Sequence, residues 1–232
     1  MKIKASKRFR KLIEISKNKQ IETIEEAIKK VKKNCTSKFN ESIDVSFALN
    51  LKNKKEEANL RTIVNLPNGN GKKIKIAVLC EESKIKDATS SGADFTNSDN
   101  LIKNITDGKI NFDKLIATPS MMSKMGKLGK ILGPKGLMPN PKLGSVTNDL
   151  KQAVTDAKSG QVEIKNDKDG NIGLSLGKKS FSDDKLLKNF NAVFETLERE
   201  KGNNTLKGDL IKNVFLTSTM GVSYKIKLTK NI

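Results

Sequence analysis

The sequence predicts an α/β protein of two domains, an α+β domain split between the two ends of the chain and a Rossmann-like α/β domain inserted into it. Three observations predict this. Apolar residues alternate with polar ones after Ser42 and again beyond Gln161, as in strands with one wet face. Between these segments, Ile74 to Cys80 and Lys114 to Thr118 are nearly unbroken apolar runs, the pattern of strands covered on both faces. Helical stretches follow such runs, and this alternation implies a small parallel sheet. The split domain is accordingly placed at residues 1–67 and 159–232, with residues 68–158 inserted through two crossings.

Taken in order, Lys7 to Asn18 reads as a basic amphipathic helix. Thr23, with Glu26 three positions on, forms a capping box ahead of Ala27, Ile28 and Val31. From Ser42, the residues Ile43, Val45, Phe47, Leu49 and Leu51 share one side of a strand, and a second strand, Thr62 to Leu66, stops at Pro67. Asn68-Gly69-Asn70-Gly71 is a turn. The inserted part runs as strand Ile74 to Cys80, helix Ser83 to Ser91, a short strand Ala93 to Phe95, helix Asp99 to Thr106, strand Lys114 to Thr118 and a helix opening at Pro119. Beyond Lys158, strands Gln161 to Lys165 and Asn171 to Leu176 flank an Asp169-Gly170 turn with the signature of a hairpin. A long helix, Asp183 to Lys201, and strands Lys212 to Thr217 and Val222 to Leu228 complete the pattern.

Charge bounds the function. Against 26 Asp+Glu the chain carries 45 Lys+Arg, a net +19 with a pI near 9.8, and such a field recruits polyanions. Nucleic acid is the leading partner class. Anionic membrane is the alternative, but no stretch approaches the ~18 apolar residues of a spanning helix, and MKIKASKRFRKL has no apolar region after its charges. A cytoplasmic, unprocessed protein with no membrane partner is expected. Histidine is absent and the two cysteines, Cys35 and Cys80, stand far apart, so neither a metal site nor a disulfide is expected; both read as buried small hydrophobes.

No cofactor is expected either. Neither GKLGKILGPKG nor NGNGKK has the spacing and hydroxyl of a phosphate-binding loop, and GxGxxG is absent. The acids are scattered or paired along helices, as Glu195 with Arg199, while Asp183-Asp184 and Glu81-Glu82 stand at helix starts where carboxylates meet the helix dipole. No catalytic residue emerges. A nucleotide-dependent enzyme using the middle domain, and a general basic chaperone or nucleoid protein, are the alternatives. Ser120 to Gly144 is the most unusual segment, with Lys124, Lys127, Lys130, Lys135 and Lys142, five glycines, three prolines and no acid. It reads as a long aperiodic basic loop whose glycines admit a close partner. At Thr217-Ser218-Thr219-Met220-Gly221, hydroxyls and a glycine separate two strands, groups suited to phosphate and sugar oxygens. Aromatics are only 4% with no Trp, which favours RNA read by shape over bases read by stacking.

GKLGKILGPKGLMPNPKLGSVT, residues 126–147, resembles the signature of the L-one family of large-subunit ribosomal proteins, of bacterial type. TSKFNESIDV at 36–45, NFDKLIATPSMM at 111–122, AKSGQVEIKNDKDG at 157–170 and TSTMGVSYKI at 217–226 follow in that family's order. The resemblance implies a split domain that holds the stalk rRNA and an inserted domain hinged on two strands. It further implies an RNA surface at Lys38, Phe39, Glu41, Thr219, Met220 and Gly221, with Lys165, Asp167 and Lys168 nearby and Thr217 at its edge. Lys127, Lys130, Lys135 and Lys142 would form a second, weaker surface towards RNA or exit-site tRNA. Release of deacylated tRNA, repression of the protein's own operon mRNA and a monomer within the cytoplasmic ribosome are implied as well. The sequence departs from the family pattern at Glu56-Glu57-Ala58, where a serine-aspartate-glutamine run is frequent, and at Asn68 and Gly173.

Overall fold

In a computed structural model of the chain, residues 6–17, 21–50, 60–203 and 210–228 are described. Leu51 and the Glu56-Glu57-Ala58 departure lie outside them. The described elements are α1 (Lys7–Lys17), α2 (Ile24–Lys33), β1 (Ser42–Leu49), β2 (Arg61–Asn65), β3 (Ile76–Leu79), α3 (Ile85–Ser90), α4 (Ser98–Thr106), β4 (Lys114–Ala117), α5 (Met122–Met125), α6 (Gly129–Leu132), α7 (Leu150–Ser159), β5 (Gln161–Lys165), β6 (Asn171–Lys178), α8 (Asp183–Asn203), β7 (Ile211–Ser218) and β8 (Tyr224–Ile226). They form two compact units, residues 1–71 with 163–232 and residues 72–162. The fold is α/β, as the alternation of periodicities implies.

In the first unit, β1 is central in an antiparallel sheet ordered β6-β1-β7-β8. Its alternation places Ile43, Val45, Phe47 and Leu49 on one buried face. Helices α2 and α8 lie over that face, and Phe47 stacks on Phe190 with ring centroids 6.0 Å apart. The capping box forms as the spacing requires: Thr23 accepts from the Glu26 N–H, and the Glu26 carboxylate accepts from the Thr23 N–H. Just before it, Glu22 bridges to Ile226 and extends the β8 edge.

The hairpin expected at Asp169-Gly170 is reduced to one bridge, Asn166 to Ile172. The turn exists, since the Asp167 carboxylate accepts from the N–H groups of Asp169 and Asn171. Its flanking strands nevertheless take different partners, β5 pairing with β2 and β6 with β1. A local turn signal is blind to that choice, which long-range burial decides.

The crossings fall at 71/72 and 162/163, later than the expected 67/68 and 158/159. The Asn68–Gly71 turn belongs to the first unit because buried Asn189 of α8 holds it. Its Oδ1 accepts from the Asn68 N–H at 3.1 Å, while its Nδ2 donates to Gly69 O at 2.8 Å and to Leu176 O at 2.7 Å. Gly71, at φ +72°, has no room for a Cβ, which would stand 2.9 Å from Lys178 Cγ.

In the second unit β3 and β4 pair in parallel, flanked by parallel bridges from Ala77 to Phe95 and from Ala117 to Val146. The expected strand Ala93 to Phe95 is thus a single bridge, and the expected helix Ser83 to Ser91 begins as a 3-10 turn before α3. Alternate residues face opposite layers. Ala77, Leu79, Leu115 and Ala117 pack with Leu101 and Ile105 of α4, whereas Ile76, Val78 and Ile116 pack with Ala88 of α3 and Val154 of α7. Strand order reverses between β3 and β4, the place where a doubly wound sheet receives a ligand. At this point Thr118 is buried and its N–H donates to Leu79 O, continuing the ladder one residue past β4.

The Ser120–Gly144 segment is not an aperiodic loop. From Pro119 to Leu132 it winds through consecutive 3-10 and α turns, and Met121, Met125, Leu128 and Leu132 are buried against the sheet at helical spacing.

Asn189→Leu should strand the Asn68 N–H and the Gly69 and Leu176 carbonyls, costing about 2–4 kcal/mol. Tyr224, the single tyrosine, is buried in the same unit, so its fluorescence should report a lower urea midpoint for that unit.

Candidate RNA interface

The two segments that resemble the family's RNA surface meet at one end of β1. Register brings them together: Ile43 lies opposite Ser218, the Thr219 N–H donates to Ser42 O at 3.1 Å, and Thr219 Oγ1 accepts from the Ser42 N–H at 3.0 Å. Between them sits Glu41, fully buried. Its Oε1 accepts from the Ser37 N–H and its Oε2 from the Met220 N–H, both at 3.1 Å. Burial works to raise the Glu41 pKa, but donation from Ser218, Met220 and Ser37 outweighs it and holds the carboxyl below its ordinary 4.5. Glu41 therefore fastens the 37–41 bend to the 218–221 turn, and both its oxygens are engaged within the chain.

What this clamp presents outward is apolar. Phe39 is 52% exposed and Met220 47%, one from each fastened segment. The two side chains stand on segments that the same carboxylate ties together. The hydroxyls of the turn are engaged within the chain or covered: Thr217 Oγ1 donates to Ser218 O, exposed Thr219 Oγ1 bonds at Ser42, and Ser218 is buried. Gly221 answers an internal need as well, because a Cβ there would stand 2.2 Å from Ser218 Oγ. Lys38 is exposed beside Phe39.

Nearby lysines are engaged within the chain. Lys32 Nζ bonds Phe181 O and pairs with Asp183, Lys178 Nζ donates to Ser42 Oγ, and Lys179 Nζ donates to Cys35 O. Sequence inspection missed these roles, since only the folded register shows which of many lysines meet carbonyls. Cys35 is a buried thiol whose pKa burial pushes up, and Cys80 is buried likewise.

Lys165, Asp167 and Lys168 are not part of this cluster. Asn171 pairs with Ala48 and the Leu49 N–H donates to Gly170 O, so the 166–170 turn lies at the opposite end of β1 from Glu41. Seven residues of strand separate the two ends, ~23 Å at strand rise. All three residues are exposed, and Lys165 and Asp167 line an open depression with Ser46, Asn171 and Gly173. The N–H of Asn171, foremost, holds the Asp167 carboxyl below its ordinary range, so that carboxylate is a turn brace. In the second unit Lys127, Lys130, Lys135 and Lys142 are all exposed around the helical turns. Among the described residues there is no cluster of potential metal ligands and no helix long and apolar enough to cross a membrane.

The net charge of +19 makes a polyanion such as nucleic acid the class of partner this protein suits. Residues 31–222 match the ribosomal protein L1p/L10e family. A large ribosomal subunit protein uL1 from Pelagibacter ubique is 65% identical over 227 residues, covering 98% of this chain and 99% of that one. The uL1 of Rickettsia conorii is 44% identical over 99% of this chain and 95% of its own, and the uL1c of Phaeodactylum tricornutum 44% identical over 97% of each. The chain belongs to the ribosomal protein L1p/L10e family.

Because the lowered Glu41 pKa favours the folded state above 4.5, its stabilisation is full at neutral pH and lost as pH falls through the lowered value. Glu41→Gln should cost about 1.5–3 kcal/mol at pH 7. The difference from wild type, read from Tyr224 fluorescence in urea, should be constant above pH ~5 and shrink below the carboxyl's ordinary value.

Proposed function

We propose that the chain is a structural, non-enzymatic constituent of the large ribosomal subunit whose split unit grips a folded segment of the rRNA stalk. Membership of a ribosomal protein family whose relatives are named for the large subunit supports the coarse statement. The observation that carries the finer one is the pair Phe39 and Met220, exposed on two segments that a buried carboxylate locks together. Rigid apolar and main-chain surface suits the wide, shallow minor groove of structured RNA, where shape and 2′-hydroxyls are read. On this reading Lys165 and Lys168 touch the same RNA one strand length away.

The remaining roles follow the family resemblance. Lys127, Lys130, Lys135 and Lys142 form the second surface, facing exit-site tRNA and assisting release of the deacylated molecule. An rRNA-like element in the protein's own operon mRNA competes for the Met220 patch and so represses translation. The protein works as a monomer within the ribosome.

Titration of a stalk rRNA fragment against a random duplex of equal length tests the patch. Wild-type protein should prefer the fragment, and Met220→Asp, which sets an anion in the RNA face, should weaken that binding at least tenfold, ~1.4 kcal/mol. Lys124→Ala, which removes one exposed charge, should cost far less. Equal losses in the two variants, or no preference in wild type, would contradict the assignment.

A further inference from the structure

Helix α1 is anomalous for a surface helix. Of its eleven residues only Leu12 is buried, so tertiary burial alone gives it little reason to stay folded. Its start is nonetheless fixed, with Ser6 Oγ accepting from the Phe9 N–H. Leu12 and half-buried Arg8, neighbours at i and i+4, mark the side turned toward the protein, and Arg8 Nη1 donates to the Met220 carbonyl at 3.4 Å. The helix is thus set down on the main chain of the turn that carries Met220.

Around that seat the two flanks differ. Lys7 and Lys11, one turn apart, are exposed on one flank; Phe9 and Ile13, also one turn apart, are 50% and 39% exposed on the other. Five basic residues against the single acid Glu14 make α1 strongly cationic.

We infer that α1 is a second wall of the RNA interface, in which Lys7 and Lys11 engage phosphates of the same rRNA segment that covers Met220. This rests on the reading that Met220 faces rRNA. Charge chooses the occupant: the helix presents cations beside the turn proposed to face RNA, and its exposed apolar side chains, Phe9 and Ile13 on one flank and Ile15 four residues on from Lys11, form no continuous stripe to seat a helix groove or an acyl layer. The Arg8 contact makes the two surfaces continuous, so an RNA backbone leaving Met220 passes along α1.

Full-length Lys7→Gln/Lys11→Gln protein, titrated with the stalk fragment between 50 and 200 mM salt, tests this. Each lost phosphate contact lowers the slope of log K against log salt by about 0.7–0.9, so the double variant should be shallower by about 1.4–1.8 while still preferring the fragment to random duplex. In the wild-type protein, amide exchange across α1 should slow when the fragment binds. An unchanged slope in a variant that still discriminates removes α1 from the interface, and so does slowing by anionic phosphatidylserine vesicles with none from RNA. Wild-type protein that binds fragment and random duplex alike fails at Met220 instead, and takes the α1 assignment with it.

Discussion

Everything at the working end of the split unit follows from taking one carboxylate out of water. A buried, unpaired carboxylate is prohibitively costly, so Glu41 requires donors from whatever surrounds it. It finds them in the Ser37 N–H, four residues away, and the Met220 N–H, 179 residues away. That second bond ties the first segment of the chain to the last. It is possible only because β1 and β7 run side by side in the register that sets Ile43 against Ser218. The backbone ordering entropy of the two segments is therefore met when the protein folds, which leaves only the exposed side chains of Phe39 and Met220 to be ordered when a partner arrives.

The same clamp explains why the patch is made of the residues it is. Thr219 spends its hydroxyl on Ser42, and Gly221 leaves space that Ser218 fills. These two would look like ligand groups in a list of polar and small residues, but their first duty is to shape the turn. What remains available outside includes the thioether of Met220, the ring of Phe39 and the ammonium of Lys38. Met adapts to irregular surfaces, whereas Phe is stiff, and together they suit a groove that is contoured without being strongly charged.

Much of the fold was legible because its signals are local. The Thr23–Glu26 box, the alternation along β1 and the unbroken run at β3 each specify an element without knowledge of the rest. The failures share one cause, a local pattern overruled by a distant partner. Asp169-Gly170 announces a hairpin, yet β5 belongs to β2 across the unit. From Ser120 to Gly144 five glycines and three prolines suggest a loop, although a helix is expected to open at Pro119 and Met121, Met125, Leu128 and Leu132 keep the 4-3-4 spacing of a buried stripe. In the candidate site, the resemblance located Glu41, but a charge in a sequence does not reveal its burial. Its role as a clamp became visible only with the Met220 N–H beside it.

Charge and shape are consequently separated in space. Lys32, Lys178 and Lys179 stand near the patch in the fold, and each gives its ammonium to a carbonyl, a hydroxyl or Asp183. A cation already bonded within the protein gains less from a phosphate than a solvated one, so the centre of the patch contributes little to attraction at a distance. The net +19 acts through the solvated lysines, among them Lys38 beside Phe39 and Lys7 and Lys11 of α1, which draw in any polyanion and are screened beyond a Debye length of ~8–10 Å. Random duplex can satisfy that outer field. It cannot satisfy a stiff apolar surface at the centre, where a poorly fitting groove would lose water without gaining contact. On the proposed function, discrimination would belong to the braced patch and affinity to the field around it, with salt eroding the second long before it touches the first.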